Sequence, residues 1–164
     1  MAVPPEALRS TMRQWTSGVV IFTTAGHDQR AGVTVSSFTS VSLEPPLVLV
    51  CLQKPIYPLQ LVRQTGVFAA SMLHAGQTHL SAQFAGFTPL PAGEDRFYGI
   101  ETFTAVTGAP LLKDALAWVD CRVHAIYDGG GSEIVVGEVL ATEHQPGTPP
   151  LAYHDRGYYH LVRE

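Results

Sequence analysis

The sequence predicts a mainly β protein: an antiparallel barrel carrying a few short helices. Apolar and polar residues alternate with period two over 31–43 and again over 118–126, which sends the two sets to opposite faces of a sheet. Short β-branched runs recur along the chain with Gly, Pro and Asp turns between them. Most links between these runs are too short for the crossovers that parallel strands require. At 164 residues, a single domain over 1–164 is expected. A core of that size, burying about 70% of the unfolded surface, needs neither disulfide nor metal.

Residues 4–14 read as a short helix, with Pro4 and Pro5 at its start and Leu8, Met12 and Trp15 as an apolar stripe. Residues 18–24 (GVVIFTT) read as a strand, followed by a turn through Ala25, Gly26, His27 and Asp28. In residues 31–43 one parity holds Ala31, Val33, Val35, Val41 and Leu43, and the other holds Gly32, Thr34, Ser36, Ser40 and Ser42. After Glu44-Pro45-Pro46, residues 47–52 (LVLVCL) read as a strand buried on both faces. Residues 57–65 predict a helix with Pro58 near its start and Gly66 as its C-terminal cap. Residues 67–73 return as a strand, and 77–85 form a second helix with Leu80 and Phe84 one turn apart. Residues 87–109 are irregular and long for a plain connector, as functional lids are. Residues 110–117 read as a short helix. In the strand 118–126, Val119, Cys121, Val123 and Ala125 face inward and Asp120, Arg122 and His124 outward. A glycine turn at 128–132 leads into a strand over 134–142, and short segments near Tyr153 and 158–162 end the chain.

Hydrophobic residues make up 46% and charged residues 15%, a balance that suits a large core or a surface covered by a second subunit. A net charge of -4 leaves no basic stripe for a nucleic-acid partner. Arg9, Arg13 and Glu6 interrupt any signal-like apolar segment, and six apolar residues at 47–52 cannot cross a bilayer. No membrane association and a cytoplasmic location are expected. Cys51 and Cys121 each sit in an apolar run, as free thiols of a reducing compartment do.

No GxGxxG follows the first strand, and no GxxxxGK[ST] or GxSxG is present. The seven histidines are scattered, and His74 and His79, five apart, do not share a helical face, so no metal site is expected. What remains is the hydroxyl face: Thr34, Ser36, Ser40 and Ser42, with Ser37 at the bend. Such a row is either a solvated sheet face or a set of neutral donors for a phosphate or a flavin edge.

Several segments together resemble the flavin reductase family, which includes the small reductase components of two-component flavin monooxygenases. They are residues 17–21 (SGVVI), 32–38 (GVTVSSF) and 40–48 (SVSLEPPLV). Further on come residues 66–69, 77–80, Phe84-Ala85, 109–111, Cys121, 136–139, 150–151 and 157–161. The resemblance implies an antiparallel Greek-key split β-barrel, a homodimer, and FMN or FAD held near the dimer interface. NADH or NADPH would be the hydride donor and a flavin-dependent monooxygenase the recipient. By resemblance, Thr34, Val35, Ser36 and Ser37 contact the flavin ring edge and ribityl chain. Cys51, Leu52, Gln53 and Lys54 line its other side, with Lys54 nearest the phosphate, and Phe84 and Ala85 close over the ring. No residue acts as a catalytic group, because hydride passes from cofactor to cofactor.

Two departures stand out. Where the family carries Gly-Asp-His before its Gly-Glu-Val hairpin, this chain has Gly130-Gly131-Ser132. Ser132 therefore stands in the expected nicotinamide pocket, where Tyr158, Tyr159 and His160 are candidates to replace the missing contacts. Residues 52–57 (LQKPIY) also lack the hydroxyls that often hold phosphate there. The reading is an NAD(P)H-dependent flavin reductase, with a flavin carrier or non-redox subunit of impaired nicotinamide use as the alternative. A split barrel with another ligand, such as haem, is a third reading, made weak by the lack of a placed axial histidine.

Overall fold

In the computed structural model, which describes residues 2–162, the elements follow in chain order. They are α1 (Pro5–Met12), β1 (Ser17–Gly18), β2 (Val20–Ala25), β3 (Arg30–Val35), β4 (Thr39–Leu43), β5 (Pro46–Gln53), α2 (Tyr57–Thr65) and β6 (Val67–Met72). Then come a 3₁₀ turn (Ala75–Gln77), α3 (Thr78–Phe84), β7 (Thr102–Phe103), β8 (Leu111–Leu112), β9 (Ala117–Asp128), β10 (Ser132–His144), β11 (Leu151–His154) and β12 (Gly157–His160).

Seven strands form one antiparallel sheet in the order β3-β2-β6-β9-β10-β5-β4. The long β9–β10 hairpin is thus inserted between β6 and β5, with the returning connections of a Greek key. The two edge strands, β3 and β4, are consecutive in the chain and joined by residues 36–38. A link that short reaches no more than about 14 Å, so the sheet must curl until its edges nearly meet. No ladder joins them. Ser37 spans the gap instead: its hydroxyl donates to the Cys51 carbonyl and accepts from the Cys51 N–H, both at 3.0 Å. The result is a mainly β barrel that stays split.

Strand β2 is buried on both faces, so its alternation sorts residues between two cores. Val20 and Phe22 enter the barrel with Val50, Leu52, Val62 and Phe68, and the Phe22 and Phe68 rings stack at 5.1 Å. Val19 and Ile21 face outward into a second core with Leu73, Leu80, Phe84, Phe97 and Leu151. A small sheet, β1-β11-β12, covers that outer side beside α3.

Gly137 sets a limit on the barrel interior. A Cβ there would lie 2.3 Å from the buried Phe68 ring and 3.0 Å from Cys121 Cβ. Gly137→Ala is therefore expected to cost about 3 kcal/mol, read as a lower urea midpoint at unchanged slope.

Helix α2 matches its expected bounds, and Gly66 caps it at φ 68, a left-handed conformation that glycine adopts without strain. Several expectations are corrected. The run 31–43 is two strands, because the bend at 36–38 resets the register; Val41 and Leu43 consequently face outward and are exposed. Strand β5 buries one face, through Val48, Val50 and Leu52, while Leu47, Leu49 and Cys51 are half-buried. Residues 110–117 form no helix. Leu111 and Leu112 are extended and bury opposite faces in two cores, and Leu112 N–H donates to Ser71 Oγ at 3.0 Å. The stripe of α1 packs on nothing: the helix buries no residue. Asp120 is buried rather than outward. It accepts from the Val106 and Thr107 N–H groups at 2.6 and 2.8 Å and from the Thr107 hydroxyl. Cys121 beside it is a free thiol, pushed up to about 12 by burial and then by the Asp120 charge.

Candidate functional site

Two cavities flank Ala85, which lines both. The first, about 400 Å³, lies between β3, α3 and the β11–β12 hairpin. Its volume suits a small organic ligand. The walls are apolar at Val19, Val35, Ala82 and Phe87, and polar at Thr34, Ser36, Ser81, Tyr158 and Arg156. No carboxylate lines it.

The hydroxyls are ordered by their partners. Thr34 donates to the Ser81 carbonyl at 2.7 Å, which docks α3 on β3 and commits its proton. Ser81 and Tyr158 hydroxyls lie 2.7 Å apart. That pair uses one proton between them and keeps one for a ligand. Ser36 has no side-chain partner among the described residues. The donor set aimed into the cavity is therefore Ser36, the Ser81–Tyr158 pair and the Arg156 guanidinium. A planar ring with carbonyl oxygens on one edge and a phosphate on its tail fits that set, as a flavin does.

The second cavity, about 690 Å³, runs along Arg30–Val33 of β3 past Gln53, Ile56, Tyr57 and Pro58 to the loop at 90–97. Arg30 grips Asp95 at 2.6 and 3.1 Å and lies 4.5 Å over the Phe97 ring. Burial alone would raise the Asp95 carboxyl, but the Arg30 hydrogen bond, the Phe97 N–H and the Arg30 charge together hold it below 3.8. Its contribution to stability is present above that value and is lost as pH falls through the lower folded value.

The residues named from sequence fare differently. Thr34, Val35, Ser36 and Ala85 line the first cavity, and Gln53 the second. Ser37 and Cys51 are bound to each other across the barrel split, so the Ser37 hydroxyl is spent. Leu52 is a barrel-core residue. The Lys54 ammonium donates to Asp128 at 2.5 Å and lies 4.0 Å from Glu133, so its charge is already answered. That hydrogen bond, with one from Gly130 N–H, holds the Asp128 carboxyl below its usual value.

Phe84 lines neither cavity. Its ring is wholly buried, edge-on to Phe97 at 5.0 Å and beneath Gly32, where a Cβ would meet it at 2.5 Å. Phe87, past the end of α3 and 81% exposed, lines the first cavity.

Ser132 sits opposite Gln53 in the β10–β5 ladder, Tyr159 packs edge-on to His154 at 5.8 Å, and His160 pairs with Leu151. Ser132 stands on β10 and the other two on β12, and none of the three lines either cavity. Of the three terminal aromatics, the β12 pleat turns Tyr158 to the cavity. Ser81, Phe87, Tyr153 and Arg156 were not named as site residues from sequence. Only a spacing signal for Ser81, one turn before Ala85 on α3, was available to find any of them.

Residues 12–162 match the model of the flavin reductase like domain. The chain is 37% identical over 151 residues to an FMN reductase (NADH) of Rhizobium rhizogenes, covering 92% of this chain and 86% of that protein. It is 35% identical over 157 residues to the reductase component of 4-hydroxyphenylacetate 3-monooxygenase from Thermus thermophilus, covering 96% and 97%. Among solved structures, the NADH:FAD oxidoreductase of Streptomyces globisporus superposes with a TM-score of 0.89 at 32% identity, covering 99% of this chain and 98% of that one. A barrel split at Ser37, an outer cavity of hydroxyl donors and a match over nearly the whole length agree, and this chain belongs to the flavin reductase family.

Proposed function

We propose that this protein is an NAD(P)H:flavin oxidoreductase acting as the reductase component of a two-component flavin monooxygenase. It takes hydride from NADH, or NADPH, onto FMN or FAD and releases reduced flavin to its partner. The observation that carries this reading is the first cavity, with its apolar walls and carboxylate-free donor set, in a chain of this family.

The bound cofactors supply the redox chemistry themselves. The chain's own residues bind, orient and exclude water. Val19, Val35 and Phe87 give the ring apolar faces, while Ser36 and the Ser81–Tyr158 pair offer donors to its carbonyl edge, where negative charge grows on reduction. Thr34 serves by fixing α3 against β3 through Ser81. Purified protein should oxidise NADH only when FMN or FAD is added; a rate that stays at background with both flavins and both nicotinamides contradicts the reading.

The hairpin Gly130-Gly131-Ser132 favours one second reading, a flavin carrier that uses nicotinamide poorly. Gly131→Asp combined with Ser132→His separates the two. The reductase reading expects an NADH rate within about tenfold of the parent, since one hydrogen bond is worth at most about 1.5 kcal/mol net; a larger gain favours the carrier.

The finer parts of the proposal are a homodimer, a single working domain over 1–164 and a cytoplasmic setting. The outward-facing Val41 and Leu43 on edge strand β4 support the dimer, since an apolar strand edge needs a cover. Light scattering of the purified protein tests it, with a monomer mass as the contrary result. The unpaired cysteines agree with a reducing compartment.

A further inference from the structure

Among the described residues, the Lys and Arg side chains are answered almost everywhere. Arg9, Arg30, Lys54, Arg63, Lys113 and Arg122 each pair with a carboxylate, and Arg96 donates to the Phe84 carbonyl. Among the described residues, only the Arg13 and Arg156 side chains have neither a carboxylate nor a carbonyl partner. Arg156 lines the first cavity, whose other polar groups are hydroxyls and which no carboxylate enters.

The backbone under Arg156 adds an independent observation. Asp155 and Arg156 form the two-residue loop between the paired His154 and Gly157, and both are left-handed, at φ 41 and 66. That is the turn in which Asn-Gly or Asp-Gly is favoured, because glycine takes the second position without strain. This chain places the bulky Arg there and the glycine one residue later. Strain held at a cavity mouth is a pointer to what the side chain does. The turn is also anchored: Asp155 N–H donates to the Arg13 carbonyl at 3.0 Å, and Thr16 Oγ1 lies 3.0 Å from His154 Nδ1. Asp155 itself does not line the cavity.

We propose that Arg156 is the phosphate-binding residue of this cavity, fixing the phosphorylated tail of the cofactor whose ring lies against Ser36 and Tyr158. The inference rests on the reductase reading. It also replaces Lys54, whose charge Asp128 and Glu133 already hold. The phosphate belongs either to the flavin or to the nicotinamide dinucleotide, and the test distinguishes them.

Arg156→Gly removes the cation and relieves the turn, so its melting temperature should stay level or rise, which separates binding from folding. Riboflavin, which has no phosphate, is the control acceptor. Loss of a charge-assisted hydrogen bond should raise one KM by about tenfold. A rise for FMN with riboflavin and NADH unchanged assigns the flavin phosphate; a rise for NADH with both flavins unchanged assigns the dinucleotide. Arg156→Lys, keeping charge without the fork, should recover part of the loss. The proposal is overturned if riboflavin and FMN rise together, or if every KM stays within roughly twofold, the range of no lost hydrogen bond. Should the parent protein turn over no flavin, the reductase reading fails separately. Fluorescence titration then decides on Arg156 alone: FMN binding tighter than riboflavin, with the advantage abolished in Arg156→Gly, upholds it, and equal binding in the parent overturns it.

Discussion

Ala85→Phe is expected to weaken FMN binding by about a hundredfold, the equivalent of about 3 kcal/mol of lost ring contact. Ala85 lines both cavities, so a phenyl ring added there takes up space at their shared wall. The site is permissive for the fold: Ala85 caps α3 with ordinary right-handed dihedrals and is only partly buried. Melting temperature should fall by no more than a few degrees, as for a substitution worth under about 1 kcal/mol. Flavin fluorescence titration and a thermal melt on the same sample check both halves. Undiminished binding in a folded variant places the flavin elsewhere.

Asp120→Ala should produce the largest loss of stability, about 3 kcal/mol or more. It strands the Val106 and Thr107 N–H groups and the Thr107 hydroxyl, all of which the buried carboxylate accepts. These contacts hold the end of the long 87–109 segment onto β9, so local opening should accompany the global loss. Urea unfolding gives the first, and faster proteolysis within that segment gives the second. Asp120→Asn keeps one acceptor oxygen and should recover part of the stability. A wild-type midpoint in the alanine variant would mean that water satisfies those donors.

What the sequence revealed and what it hid divide along a physical line. Local signals were legible: Pro58 and Gly66 bound α2, and the alternation of 118–126 marks β9, because caps and periodicity act within a few residues. Asp120 and Arg122 share a parity, yet one is buried and one exposed. The difference comes from a loop that arrives from residues 106–107, which periodicity cannot report. Leu111 and Leu112 offered no contrary local signal, and two cores on opposite sides drew them into a strand.

The site divides in the same way. The hydroxyl row at Thr34 and Ser36 was visible as composition, but the spending of Ser37 on Cys51 and of Lys54 on Asp128 depends on partners 14 and 74 residues away. The resemblance offered Phe84 as a ring cover, but the missing side chain of Gly32 makes room for it in the core. Arg156 gave no signal at all, since its meaning lies in the turn under it and in the absence of any partner.

The most direct test of the central claim is anaerobic mixing of the purified protein with FMN and NADH while the visible flavin absorbance is followed. The account predicts rapid bleaching with turnover of excess flavin, slowed in Ala85→Phe. Flavin that binds but keeps its colour with both NADH and NADPH would contradict the reductase and leave a flavin-binding barrel of another function.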